Sequence, residues 1–94
     1  MKALQFGWDA KKNRSNIAKH KISFEEAKTV FYDDNAKIIS DPDHSEAEDR
    51  FIIMGMSNAL KLLVVCHCYR EPDEKIRIIS ARKATRKESE YYGG

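Results

Sequence analysis

Two β-branched runs near the C-terminal end constrain this chain more than any other feature. Leu62 to Tyr69 and Ile76 to Lys83 are each long enough for a strand, and Glu71-Pro72-Asp73-Glu74 between them reads as a turn. Val, Ile and Tyr at this density suit a pleated, half-buried surface, so the pair predicts an antiparallel hairpin. The same strands carry His67, Arg70, Arg77, Ser80, Arg82 and Lys83. A basic group in a core-like strand needs solvent, a partner or a ligand, because unpaired burial is costly.

A turn centred on Pro72-Asp73 sets Arg70 opposite Lys75 and His67 opposite Ile78. Unbroken alternation then puts Leu63, Val65, His67, Tyr69, Ile76, Ile78, Ser80 and Arg82 on one face. Cys66, Cys68, Arg70, Arg77, Ile79, Ala81 and Lys83 take the other, and a one-residue shift exchanges the faces.

The remaining elements follow in order. Leu4 to Trp8 is a short strand at or beside the sheet edge. Asp9 is an N-cap for a helix from Ala10 to about His20, with Ala10, Arg14, Ile17 and Ala18 expected inside. Lys19 and His20 meet the negative end of that helix, and Trp8 is a core anchor. Ser23-Phe24-Glu25-Glu26 is a capping box opening a second helix over roughly residues 24–31. Ala36 to Ser40 and Arg50 to Met56 are strands. Thr85-Arg86-Lys87-Glu88 is a second capping box, starting a short C-terminal helix. The order β–α–α–β–β–β–β–α predicts one α+β domain over residues 1–94. Its small antiparallel sheet is a meander of the last strands, with two N-terminal helices packed on it.

Composition narrows the function. At 94 residues, 41% hydrophobic and 34% charged, the chain suits one soluble domain. It has no run of the ~20 apolar residues that a membrane helix needs and no signal-peptide pattern. Cys66 and Cys68, two apart on one strand, are poorly placed to bridge each other, so reduced thiols and a cytoplasmic location are expected. The net charge of +2 hides an asymmetry. Residues 1–32 hold seven Lys/Arg against three acids, residues 33–49 one against seven, and residues 50–94 nine against five. Two basic segments around an acidic loop suit a polyanion or an acidic partner.

Metal-free RNA cleavage needs a base for the 2′-hydroxyl, an acid for the leaving oxygen and cations on the phosphate. His67, Arg50, Arg77, Arg82, Lys83 and Tyr91 form such a set, and the Thr85 helix start beside Arg82-Lys83 is a suitable place for a phosphate. The acidic loop, Asp41 to Asp49, is dense in oxygen donors but fails the EF-hand pattern, with Glu46 where Gly is required and Ile52 where Glu is required. It is expected to be a solvated loop or a lid paired to the basic segments. Cys66-His67-Cys68 lacks the second ligand pair of a zinc site. No metal and no cofactor are expected.

Several blocks resemble a known family. They are Phe6-Gly7-Trp8-Asp9 with Lys12, Asn16 and Lys19-His20, then Ser23 to Ala27, Asp41 to Ser45, Arg50 to Gly55 and Val64 to His67. The Ile76-Arg77-Ile78-Ile79-Ser80-Ala81-Arg82-Lys83-Ala84 block follows, and later Glu88 and Tyr91. Together they resemble the BrnT toxins of bacterial BrnT–BrnA type II toxin–antitoxin systems over nearly the whole chain. Asn58-Ala59 stands where that family commonly has Gly. The resemblance implies a RelE-like fold and ribonuclease activity that arrests translation and growth. It also implies a DNA-binding, BrnA-like antitoxin, through which alone operator DNA is contacted. Carried over, His67, Arg82 and Tyr91 are the expected catalytic residues, and Arg50, Arg77, Ser80 and Lys83 the expected phosphate ligands. The alternative is a basic module that binds an acidic segment or nucleic acid without turnover.

Overall fold

The computed structural model describes residues 4–40, 50–70 and 75–93. The acidic loop and the Glu71–Glu74 turn read above lie outside the described residues. The order is β1 (Phe6–Gly7), α1 (Ala10–His20), α2 (Phe24–Ala27) with a 3-10 turn (Lys28–Tyr32), β2 (Lys37–Ser40), β3 (Phe51–Met56), β4 (Leu62–Arg70), β5 (Lys75–Lys83) and α3 (Arg86–Gly93). The strands form one sheet in the order β1-β5-β4-β3-β2. Strands β2 to β5 are an antiparallel meander, and β1 joins the edge parallel to β5. The expected α+β architecture is the one observed, with a mixed rather than purely antiparallel sheet.

The core lies between one face of this sheet and the N-terminal helices. Ile53, Leu63, Val65, Ile78 and Ala81 meet Ile22, Phe24, Ala27 and Val30, with Phe6, Trp8 and Phe31 packed around them. Trp8 lies edge-on to Phe24 at 6.0 Å. Gly55 is needed here, because a Cβ on it would come within 2.9 Å of Val30 and 3.0 Å of Ala36 and Asp33.

Both caps form. The Ser23 hydroxyl accepts the Glu26 N–H, and the Thr85 hydroxyl accepts the Glu88 N–H while Glu88 accepts the Thr85 N–H. The Glu26 carboxylate is bonded by the Ser57 hydroxyl at 2.7 Å, which ties α2 to the turn after β3. In that turn Leu60 takes φ 61°, a left-handed conformation that favours Gly or Asn.

Two expectations are corrected. The first concerns α1, where Ala10, Arg14, Ile17 and Ala18 are exposed and Asn16 alone is buried. The helix docks through polar groups. Asn13 accepts the Phe24 N–H, and Asn16 bonds the backbone of Ile22 and Ala81. The second concerns the hairpin faces. Pairing runs as expected from Arg70↔Lys75 to His67↔Ile78, then shifts by one residue so that Cys66 faces Ser80 and Val65 faces Ala81. Ile79 is the extra residue of a β-bulge, and alternation resumes in the opposite phase. Ala81 therefore enters the core, while Ser80 and Arg82 point to the face away from α1 and α2.

Candidate active site

The second face of the sheet is only partly covered. α3 crosses it without closing on it, and its end is tied back by the Tyr92 hydroxyl, which donates to Asp33 at 2.6 Å. Asp33 also accepts the Met56 N–H. These bonds, the Met56 one above all, hold its carboxyl below the usual range, and the shared proton pushes the Tyr92 phenol up.

Two adjoining clefts remain on this face, one over the strands β3 to β5 and one between the strands and α3. One, of about 320 Å³, is lined by Arg50, Ile52, Val64, Cys66, Ile79, Ser80 and Arg82. The other, of about 390 Å³, is lined by Ile52, Met54, Val64, Thr85, Lys87, Glu88 and Tyr91. They share an apolar floor of Ile52 and Val64. The Arg82–Glu88 pair stands between them, Arg82 lining one and Glu88 the other.

That pair is bidentate, with Nη1 to Oε1 at 2.8 Å and Nη2 to Oε2 at 2.9 Å. Such a fork fixes the guanidinium plane as well as its position. The hydrogen bonds from Arg82 pull the Glu88 carboxyl from 4.5 down to about 2, and Glu88 in turn raises Arg82 above its ordinary value. Arg50 is bound differently. Its Nε is buried and has no hydrogen-bond partner among the described residues. An orphaned buried donor is uncommon in folded proteins.

The seven residues singled out from sequence separate into groups. Arg50, Ser80 and Arg82 line one cleft together. Tyr91 lines the neighbouring cleft, 56% exposed, with the Lys37 ammonium 5.1 Å from its ring centre. Lys83 is exposed at the end of β5 and accepts an Arg82 N–H through its carbonyl. Arg77 lies opposite Cys68 and beside Gly7 of β1. The Asp9 carboxyl is held below its ordinary range mainly by the Lys12 and Lys11 backbone N–H groups, with a smaller part from the Arg77 charge. Neither Lys83 nor Arg77 lines the Arg50–Arg82 cleft.

His67 is on the other side of the sheet. It is 0% exposed, enclosed by Phe31 at 4.8 Å, Tyr69 at 5.5 Å and Phe51 at 6.1 Å. Its Nδ1 lies 3.4 Å from the Val65 carbonyl, and its Nε2 has no partner among the described residues. Burial lowers its pKa below 6.5, so the ring is neutral at pH 7. The bulge produces this separation by turning Ser80 and Arg82 away from the strand face that His67 occupies.

Sequence reasoning missed Glu88 as the partner of Arg82, although the Thr85-x-x-Glu88 box was legible. It also missed Asn16 as a buried anchor, for which a polar residue central to a thinly apolar helix was the available signal.

Comparison with known proteins now assigns the fold and activity. A family model described as "Ribonuclease toxin, BrnT, of type II toxin-antitoxin system" matches residues 8–88. The chain belongs to the BrnT ribonuclease toxin family. Among solved structures it is similar to the crystal structure of the Brucella abortus ribonuclease toxin BrnT. The two share 26% identity with a TM-score of 0.66, covering 89% of this chain and 100% of that one. No curated protein sequence matches the chain. A BrnT toxin is a ribonuclease, so RNA is its substrate and an antitoxin its partner. Of the two functional alternatives read from sequence, the enzyme stands.

Proposed function

We propose that this ribonuclease cuts RNA on the α3 side of the sheet, with Arg50, Ser80 and Arg82 holding the phosphate and no metal in the reaction. The observation that carries this reading is the Arg50–Arg82 cleft. Two guanidinium groups and a hydroxyl line one concavity over an apolar floor. Fixed cations placed where charge accumulates on a phosphate lower the barrier most in a partly dry site, where no solvent has to reorganise. Ile52, Val64, Cys66 and Ile79 supply that dry wall and a flat surface for a base. Lys83 and Arg77, at either end of β5, extend the positive potential along the strand and attract the flanking backbone.

For proton transfer the α3 side offers Tyr91, which is largely exposed and lines the adjoining cleft. His67 was, with Tyr91, an expected catalytic residue, and its enclosure by three rings supports a packing role in place of that one. A BrnA-like antitoxin would then neutralise the enzyme and carry the contacts to operator DNA, in the cytoplasm.

The test is incubation of antitoxin-free protein with naked single-stranded RNA, with and without EDTA, beside Arg50→Ala, Arg82→Ala and Tyr91→Phe variants. Cleavage that survives EDTA and falls in the Arg variants is the expected result. Cleavage abolished by EDTA and restored by a divalent cation would overturn the metal-free mechanism. Arg variants as active as the unaltered protein would remove the cleft from the reaction.

A further inference from the structure

We infer that Asn16, on α1 and outside the cleft, is a positioning residue for the ribonuclease site because it pins the β-bulge that aims Ser80 and Arg82. This rests on the cleft reading above. The outer edge of β5 is covered in two pieces. β1 covers it as far as Phe6↔Ile76 and Gly7↔Arg77, where the strand ends. Beyond that, the Asn16 side chain takes the place of a strand. Its Nδ2 donates to the Ala81 carbonyl at 2.8 Å, and its Oδ1 accepts the Ala81 N–H at 3.1 Å. A side-chain amide thus pairs with Ala81 by one donor and one acceptor, as a neighbouring backbone does. The second Nδ2 proton goes to the Ile22 carbonyl at 2.8 Å, which locks the amide to the segment after α1. Asn16 is 7% exposed, so these bonds are shielded from water.

The position is what gives this a functional consequence. Ala81 is the first residue after the bulge to return to the core, and it lies between Ser80 and Arg82. Ile79 and Ser80, adjacent in sequence, both line the cleft, which unbroken alternation forbids. Without the amide clamp, β5 can recover alternation by sliding one residue against β4. That slide would turn Ser80 and Arg82 toward the packed side and Ala81 toward the cleft. Arg82 would then lose Glu88. Asn16 therefore selects the register in which the phosphate-binding groups exist as a set.

The experiment compares Asn16→Ala, and Asn16→Asp as the variant closer in shape, with the unaltered protein and Arg82→Ala. Asp retains an acceptor for the Ala81 N–H but loses both donated bonds. Two quantities are read, the guanidinium N–H signals of Arg82 by NMR and the cleavage rate of a single-stranded RNA oligonucleotide. A bidentate pair gives resolved, slowly exchanging guanidinium protons, which a general loss of stability below the unfolding midpoint does not remove. Expected are loss of those signals and a fall in kcat of about a hundredfold, the cost of removing one charge-stabilising donor from the site. Asn16→Ala combined with Arg82→Ala should then be no worse than Arg82→Ala alone. If Asn16→Asp or Asn16→Ala keeps the paired Arg82 signals, the inference is overturned whatever the cleavage rate. If the signals vanish but Arg82→Ala cuts RNA normally, Asn16 still sets the register and it is the cleft reading that fails.

Discussion

The two faces of the sheet carry polar side chains under opposite conditions. On the α1–α2 side, His67 is sealed among aromatic rings, neutral and without a strong hydrogen bond. On the α3 side, Arg50 and Arg82 are half-buried at an open cleft, Arg82 held there by Glu88. Residue type alone favours the histidine as the reactive group at neutral pH. Environment favours the arginines. A polar side chain acts on a ligand only where the ligand can reach it, and Arg50 and Arg82 line an open cleft while His67 is fully enclosed.

The largest expected effect sharpens this contrast. Arg82→Ala should lower ribonuclease kcat by about a hundredfold or more, the range seen when one charge-stabilising donor is removed. Arg82→Lys should recover only part of it, because the ammonium cannot reproduce the two-point fork. Cleavage assays with matched circular dichroism spectra check both. His67→Ala should do the reverse. It should cost about 3 kcal/mol of stability through the cavity left among Phe31, Phe51 and Tyr69, measured by urea unfolding. His67→Leu, which removes the orphaned Nε2 along with the ring, should unfold near the parent midpoint and still cut RNA. If His67→Leu folds and is inactive, the division of labour between faces is broken.

A smaller effect tests how tightly the α2 side is packed. Gly55→Ala should destabilise by about 1–3 kcal/mol, since the added methyl meets Val30, Ala36 and Asp33. Smaller again are the pH effects. The folded pKa of His67 is below its unfolded value near 6.5, so the unfolded chain binds the extra proton first. Stability should therefore be complete above pH 6.5 and decline below it, by at most about 1.4 kcal/mol per pH unit for one group. His67→Leu should remove that part of the decline. Glu88 acts in a lower window. Its folded value of about 2 lies below 4.5, so its contribution is present above pH 4.5 and is lost as pH falls toward 2. The two side chains are 41% and 33% exposed, so Glu88→Gln should cost about 1 kcal/mol or less.

Much of this organisation was legible in the sequence. Element order, both serine/threonine caps, the Trp8 anchor and the hairpin pairing from Arg70↔Lys75 to His67↔Ile78 follow from local patterning and turn chemistry. The bulge was not legible, because Ile79 and Ser80 satisfy a regular strand as well as a bulged one. What selects the bulge is a side chain 65 residues away, Asn16 on Ala81. The dock of α1 was misjudged for a related reason. A hydrophobic-face search passes over a helix whose buried residue is an amide. Arg82–Glu88 was hidden because meeting across six positions depends on where α3 turns after Lys83.

The bulge also bears on how this site could be moved to another protein. Engineers usually transplant a functional site as a list of side chains on a matching strand. Here Ser80 and Arg82 stand out of phase with the apolar residues that precede them, so a faithful copy of β5 onto a regular sheet would bury the arginine. The transferable unit is the strand with its extra residue, together with the amide that stands in for its missing neighbour.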